Sequence, residues 1–290
     1  MHPVRASLGA SKKQLPPMST TTTHTLRASC TLLFDVVQST PMTFMLRPRS
    51  NPSQRVVREE YRVSPAVEIT EIVDALGNLA QRLVAPAGEF ELSTSVEAEI
   101  RTATQNPSVG GFVPVPDLPD DVLLYLLPSR YCESDRFGDM ATEIVHGCQA
   151  GYAQAEAISK WVRSNVKNIP GSSTYPVSAT EINARREGVC RDLAQISIAL
   201  CRALCIPARL VVGYMHNLKP MDIHAWFEAF LGGEWYTFDP ASEEIDGKRI
   251  AIAYGRDSAD VAIYNQYGPL LLPRELTVDV ELVNSALHSD

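Results

Sequence analysis

The chain lacks any run approaching the ~20 consecutive apolar residues of a membrane-crossing helix, so no membrane partner is expected. Its first 25 residues, MHPVRASLGASKKQLPPMSTTTTHT, are basic and polar, without the apolar core of a secretory signal. The six cysteines (Cys30, Cys132, Cys148, Cys190, Cys201, Cys205) include no CxxC pair. A zinc site is therefore not expected, and the missing signal points to reduced thiols in the cytoplasm. There is no P-loop, no dinucleotide-binding glycine fingerprint, no internal repeat and no acidic loop with calcium spacing. No metal or other cofactor is expected. Net charge is −8, which argues against a nucleic-acid partner.

What is present suits a soluble globular protein. The 290 residues are 45% hydrophobic and 21% charged, enough for one large or two medium domains with a real core. Residues 1–24 read as a disordered tail, with Met18 a candidate start. Strands are expected over Leu26 to Val37, Val56 to Val63, Glu68 to Val73 and Leu79 to Ala85, with a turn at Asp74 to Asn78. Glu91 to Arg101 alternates, with Leu92, Thr94, Val96, Ala98 and Ile100 on one face. Short strands between turn signals predict a β-sandwich domain over 25–105. Five prolines make 106–134 a connector, although Val122 to Leu127 is apolar enough to dock on a domain. A second domain is expected over 135–290. Its first helix runs from Arg136 to His146, capped by Ser134. The next runs from Tyr152 to Val166 with Ala157, Ile158, Trp161 and Val162 as its apolar stripe; Trp161 reads as core.

The chemistry concentrates between Gly188 and Pro240. Ser178 to Glu181 matches a capping box opening a short helix that Gly188 ends. Asp192 to Leu204 is a longer helix with Leu193, Ile196, Ser197, Leu200 and Leu204 on one face. Cys190 thus falls in or beside the first turn, where unpaired N–H groups and the dipole favour a thiolate and can hold an oxyanion. Cys201 and Cys205 read as structural and His216 as surface. Pro207 stops the helix, and Ala208 to Tyr214 is a buried strand. Ile223 to Leu231 and Glu234 to Asp239 form a hairpin around Gly232-Gly233. With a two-residue turn, Asp239 opposes Trp226, so His224 and Asp239 share a face. They sit diagonally, roughly 7–8 Å apart between backbones and within side-chain reach. Cysteine, histidine and aspartate in these settings are the parts of a thiol acyl-transfer site. Asn168 to Tyr175 is a loop that lines the approach to Cys190; Tyr175 reads as packing, with a place in a substrate cleft as the alternative. Further on, Glu243 to Gly247 is turn-like, Arg249 to Tyr254 a strand, the charged loop from Gly255 solvated, and Arg274 to Val283 the last strand.

The residues Gly188-Val189-Cys190-Arg191-Asp192, Arg202-Ala203-Leu204, Ile206-Pro207-Ala208-Arg209 and Gly213-Tyr214 resemble the transglutaminase-like superfamily. The resemblance continues through His224-Ala225-Trp226-Phe227-Glu228, Trp235 and Phe238-Asp239-Pro240, and extends to Gly255-Arg256-Asp257 and Ala259-Asp260-Val261. It implies an α+β protein: an N-terminal β-sandwich, common in bacterial relatives, then a papain-like core of helices packed on an antiparallel sheet. It also implies Cys190 as nucleophile, His224 as base and Asp239 as its orienter. The expected activity is hydrolysis of a peptide or isopeptide amide in a protein or peptide substrate through a thioester. The alternatives are protein-glutamine crosslinking and a non-enzymatic interaction role.

Overall fold

A computed structural model describes residues 21–103, 110–242 and 248–287. Six antiparallel strands open the chain: β1 (Thr21–Val36), β2 (Thr40–Phe44), β3 (Gln54–Ser64), β4 (Thr70–Val73), β5 (Leu79–Ala85) and β6 (Gly88–Ala103). In β6 the expected alternation holds, with Leu92, Thr94, Val96, Ala98 and Ile100 all buried. The expected turn is present, closed by Gly77 N–H donating to Asp74 O at 3.1 Å. β2, whose five residues carry little periodic signal, was not anticipated. β1 begins at Thr21, so the tail does not reach residue 24 as expected; the Thr-rich start of the strand has a polar composition but regular ladder partners on β6.

The connector docks as expected: Leu118 and Val122 are buried against Phe230, with Trp235 beside them. After it, a 3-10 turn (Ser134–Arg136) precedes α1 (Gly138–Ile144), whose N-cap is Phe137. The expected helix from Arg136 capped by Ser134 is therefore corrected; Ser134 is buried within the 3-10 turn instead. α2 (Tyr152–Asn165) buries Tyr152, Ala155, Ile158, Ser159 and Val162, a stripe rotated from the expected one. Trp161 is only half-buried, beneath the Arg186 guanidinium at 5.1 Å. A parallel bridge of β7 (Lys167–Asn168) and β8 (Glu187–Gly188) brackets α3 (Ala179–Arg185). The Ser178–Glu181 capping box forms, but Arg186, at φ 59°, ends α3 in place of Gly188.

α4 (Cys190–Ala203) is buried on all sides from Asp192 to Arg202, so it is the axis of the second half and not an amphipathic surface helix. It packs on a four-stranded antiparallel sheet, in order β11-β10-β9-β12, of β9 (Ala208–Met215), β10 (His224–Leu231), β11 (Glu234–Phe238) and β12 (Arg249–Gly255). The expected turn at Glu243 to Gly247 lies outside the described residues.

The chain then returns. β13 (Tyr264–Gln266) pairs with β2, and β14 (Glu275–Leu287) pairs with β1 over most of its length. The sandwich sheets are thus β14-β1-β6-β3 and β13-β2-β5-β4. This corrects the expected division: the sandwich is not complete within 25–105, and the end of the 135–290 segment belongs to it. A terminal strand that pairs with residues more than two hundred positions away leaves no local signal of its partner. Two buried amides complete the join. Gln54 accepts Ala251 N–H at 2.9 Å and donates to Ala251 O at 2.8 Å. Asn78 does the same for Tyr254, at 2.8 Å each way. Side chains of the sandwich thereby satisfy the open edge of β12, which would otherwise present unpaired backbone groups.

Candidate active site

The turn that carries Cys190 is built by a close approach. Cys190 is the first residue of α4, and the Asp192 carboxylate, fully buried, accepts the Val189 N–H at 3.1 Å. A Cβ on Gly188 would lie 2.8 Å from Asp192 Cβ, so only glycine lets that carboxylate fold back against the entering strand. Cys190 is half-buried, whereas Cys30 and Cys201 are sealed in the core, where burial pushes each up to about 12. Cys205 lies past the end of α4, exposed and at φ 59°.

The hairpin has the expected register. Leu231 opposes Glu234 and Phe227 opposes Phe238, with Gly232 and Gly233 at φ 59° and 95° between them. Those dihedral signs suit the tight turn whose twist matches the strands. His224 and Asp239 consequently meet: His224 Nε2 and Asp239 Oδ2 are 2.7 Å apart, both side chains 2% exposed. Burial disfavours the charged ring. The hydrogen bond to Asp239, the hydrogen bond to Cys190 and the charges of both outweigh it and raise His224 to about 9. Burial likewise opposes the Asp239 charge, but His224 and then Arg249 hold its carboxyl below the usual range. With Nε2 engaged by the carboxylate, Nδ1 is the ring nitrogen left for the thiol.

Arg249 was missed by sequence reasoning. It donates to Asp239 Oδ2 at 2.9 Å, sharing that oxygen with the imidazole. Its guanidinium lies 5.5 Å from the Trp226 ring centre, and that ring stacks on His224 at 6.2 Å and 27°. The one available signal was a cation heading an otherwise apolar strand, RIAIAY. The second oxygen of Asp239 accepts the Ala241 N–H at 3.0 Å, and Arg163 on α2 donates to the Asp239 carbonyl. A cavity of about 40 Å³ lined by Lys160, Arg163, Arg249 and Asp239 lies behind this cluster and does not include Cys190. Two further expectations are corrected. Asp257 is buried, not solvated, and accepts the Tyr131 N–H at 2.7 Å. Tyr175, read as packing, is 53% exposed.

Residues 138–240 match the transglutaminase-like superfamily, and residues 35–101 match the bacterial transglutaminase-like N-terminal region. A crystal structure from Cytophaga hutchinsonii, of a protein described as a "putative cysteine protease", is 31% identical. It covers 93% of this chain and 95% of its own, at a TM-score of 0.88. The chain belongs to the transglutaminase-like superfamily. The uncharacterized protein ML0607 of Mycobacterium leprae is 29% identical over 262 residues, 83% of this chain and 91% of that one. The uncharacterized protein Rv2569c of Mycobacterium tuberculosis is 33% identical over 106 residues, a third of its length. The transglutaminase-like match extends the observed architecture over both halves: an N-terminal sandwich and a cysteine-based enzyme fold of helices on a sheet.

Proposed function

We infer that the protein is a thiol amide hydrolase acting on a peptide or isopeptide bond of a protein or peptide, with Cys190, His224 and Asp239 as its triad. The observation that carries this reading is the buried contact of His224 Nε2 with Asp239 Oδ2 at 2.7 Å; the upward shift of the imidazole, to which Cys190 contributes, supports it. Cys190 sulfur, as thiolate, attacks the carbonyl carbon, and the π pair moves to oxygen. The Cys190 N–H, at the first position of α4, has no acceptor within the helix and serves as a donor to that oxyanion. Collapse expels the amine, which takes its proton from the His224 imidazolium, leaving a thioester on Cys190. Water then attacks as His224 takes its proton, and release of the carboxylic acid regenerates the thiolate. Asp239 fixes the tautomer and stabilises the charged ring.

Cys190→Ala is expected to abolish release of free acid from a labelled protein substrate while the folded far-UV spectrum is retained. Turnover surviving in the purified variant would sink the assignment. Including a labelled primary amine in the same assay distinguishes the two acyl acceptors, because incorporation of amine in place of acid release identifies a crosslinking enzyme.

A further inference from the structure

One large buried group beside the imidazole has no part in the acyl-transfer steps. Trp226 stands two residues after His224 on β10, on the same face, and is 2% exposed. Its ring lies offset from the His224 ring and roughly parallel to it, at 6.2 Å and 27°. The Arg249 guanidinium lies 5.5 Å from the centre of the same indole. Asp239 Oδ2 closes the circuit, meeting His224 Nε2 at 2.7 Å and Arg249 at 2.9 Å. Side chains from β10, β12 and the end of β11 thus form a ring of four, in which the indole and the carboxylate each face both basic groups.

Packing alone does not select this residue. The indole N–H is buried and finds no acceptor among the described residues. Stranding it forfeits the hydrogen bond it had with water, a loss that an apolar side chain would avoid. The space is shaped for the wide ring all the same. A Cβ on Gly213, opposite His224 on β9, would lie 2.8 Å from the indole Cη2, and Val211 and Ala251 pack with the ring. What an apolar group could not supply is the negative face of the indole. Two positive groups, the guanidinium and the protonated imidazole, share one carboxylate oxygen and therefore repel each other. An electron-rich face beside both offsets that repulsion.

We propose that Trp226 is a positioning residue for His224: its indole face holds the imidazole plane against Asp239 and favours the imidazolium beside Arg249. The proposal rests on His224 being the base of the triad. The charged groups around that ring are Asp239, the Cys190 thiol on α4, Arg249 on β12 and Asp222 just ahead of β10. The test leaves all but the thiol in place and alters the indole.

Carbon-13 NMR of labelled imidazole in the Cys190→Ala protein follows His224 with no thiol titrating beside it and needs no substrate. Replacing Trp226 site-specifically by fluorinated tryptophans nearly keeps the shape of the ring and drains its face of electron density. The His224 titration is expected to fall stepwise with each added fluorine. In Trp226→Leu it should fall by about one pH unit, a tenfold change in proton affinity. A ring that only fills space would leave the titration unmoved across the fluorinated series, and that result overturns the proposal whether or not Trp226→Leu folds. A different failure is separable from this one. If His224 titrates at or below its ordinary 6.5 in Cys190→Ala with Trp226 intact, the Asp239 pairing itself is refuted, and the proposal falls with the triad.

Discussion

Replacing Asp239 by Asn should move the titration of His224 by more than two pH units. In the native protein the ring is 2% exposed, and burial alone would hold it below the ordinary 6.5. It instead rises to about 9 because the Asp239 hydrogen bond, the Cys190 hydrogen bond and both charges favour the imidazolium. A rise from 6.5 to about 9 corresponds to about 3 kcal/mol of differential interaction. The Asp239→Asn substitution removes the largest favourable contribution and a charge, while the burial remains. The ring should then titrate at or below its ordinary value and lose its proton before neutrality. Cys190→Ala should lower it by less, since Asp239 stays. Carbon-13 NMR of labelled imidazole, with His224→Gln assigning the resonance among six histidines, reads these shifts directly. In the Cys190→Ala background no thiol titrates alongside the ring, so the linkage has one sign. A raised histidine stabilises the fold fully below about 6.5, and that contribution is lost as pH rises through the folded value. Urea denaturation between pH 6 and 10 should accordingly show declining stability. A native His224 titrating near 6.5, unmoved by Asp239→Asn, would refute the electrostatic account of the site.

Other outcomes follow from the same structure. Arg249→Met removes one partner of a buried pair, so the fold should lose about 3 kcal/mol, the lower end for such a break because Asp239 keeps His224 and the Ala241 N–H. With the cation gone the Asp239 carboxyl should titrate higher, shifting the acidic limb of the activity profile upward. Gln54→Leu strands the N–H and C=O of Ala251 on the buried edge of β12, and chemical denaturation should register a loss of about 2 kcal/mol or more. Gly213 opposes His224 on β9, and a Cβ there would collide with Ile250 O and lie 2.8 Å from the Trp226 ring. Gly213→Ala should therefore cost about 1–3 kcal/mol and lower kcat by displacing the platform under the imidazole; unchanged kcat and Tm would contradict that packing.

How much of this was legible in the sequence depended on how local each signal was. The His224–Asp239 contact was readable because a Gly-Gly turn sets the register of a hairpin, and register sets which side chains share a face. The place of Cys190 was readable because a capping box, a glycine and an apolar period mark where α4 begins. Arg249 was not readable: β12 reaches Asp239 only after β9 has come between it and β10, and the intervening chain carries no periodicity that encodes that crossing.

The sequence by itself therefore determined the helix that begins at Cys190, the hairpin and its register, the alternating strand β6 and the docked connector. These are decided by contacts among near neighbours, where backbone geometry leaves few choices. Tertiary structure alone decided that β13 and β14 return to complete the sandwich, that Gln54 and Asn78 close the edge of β12, and that Arg249 meets the carboxylate from a distant strand. Those pairings join segments far apart in the chain. They are selected by which buried backbone groups and charges remain unsatisfied once the local elements have formed, a condition that no short window of residues expresses.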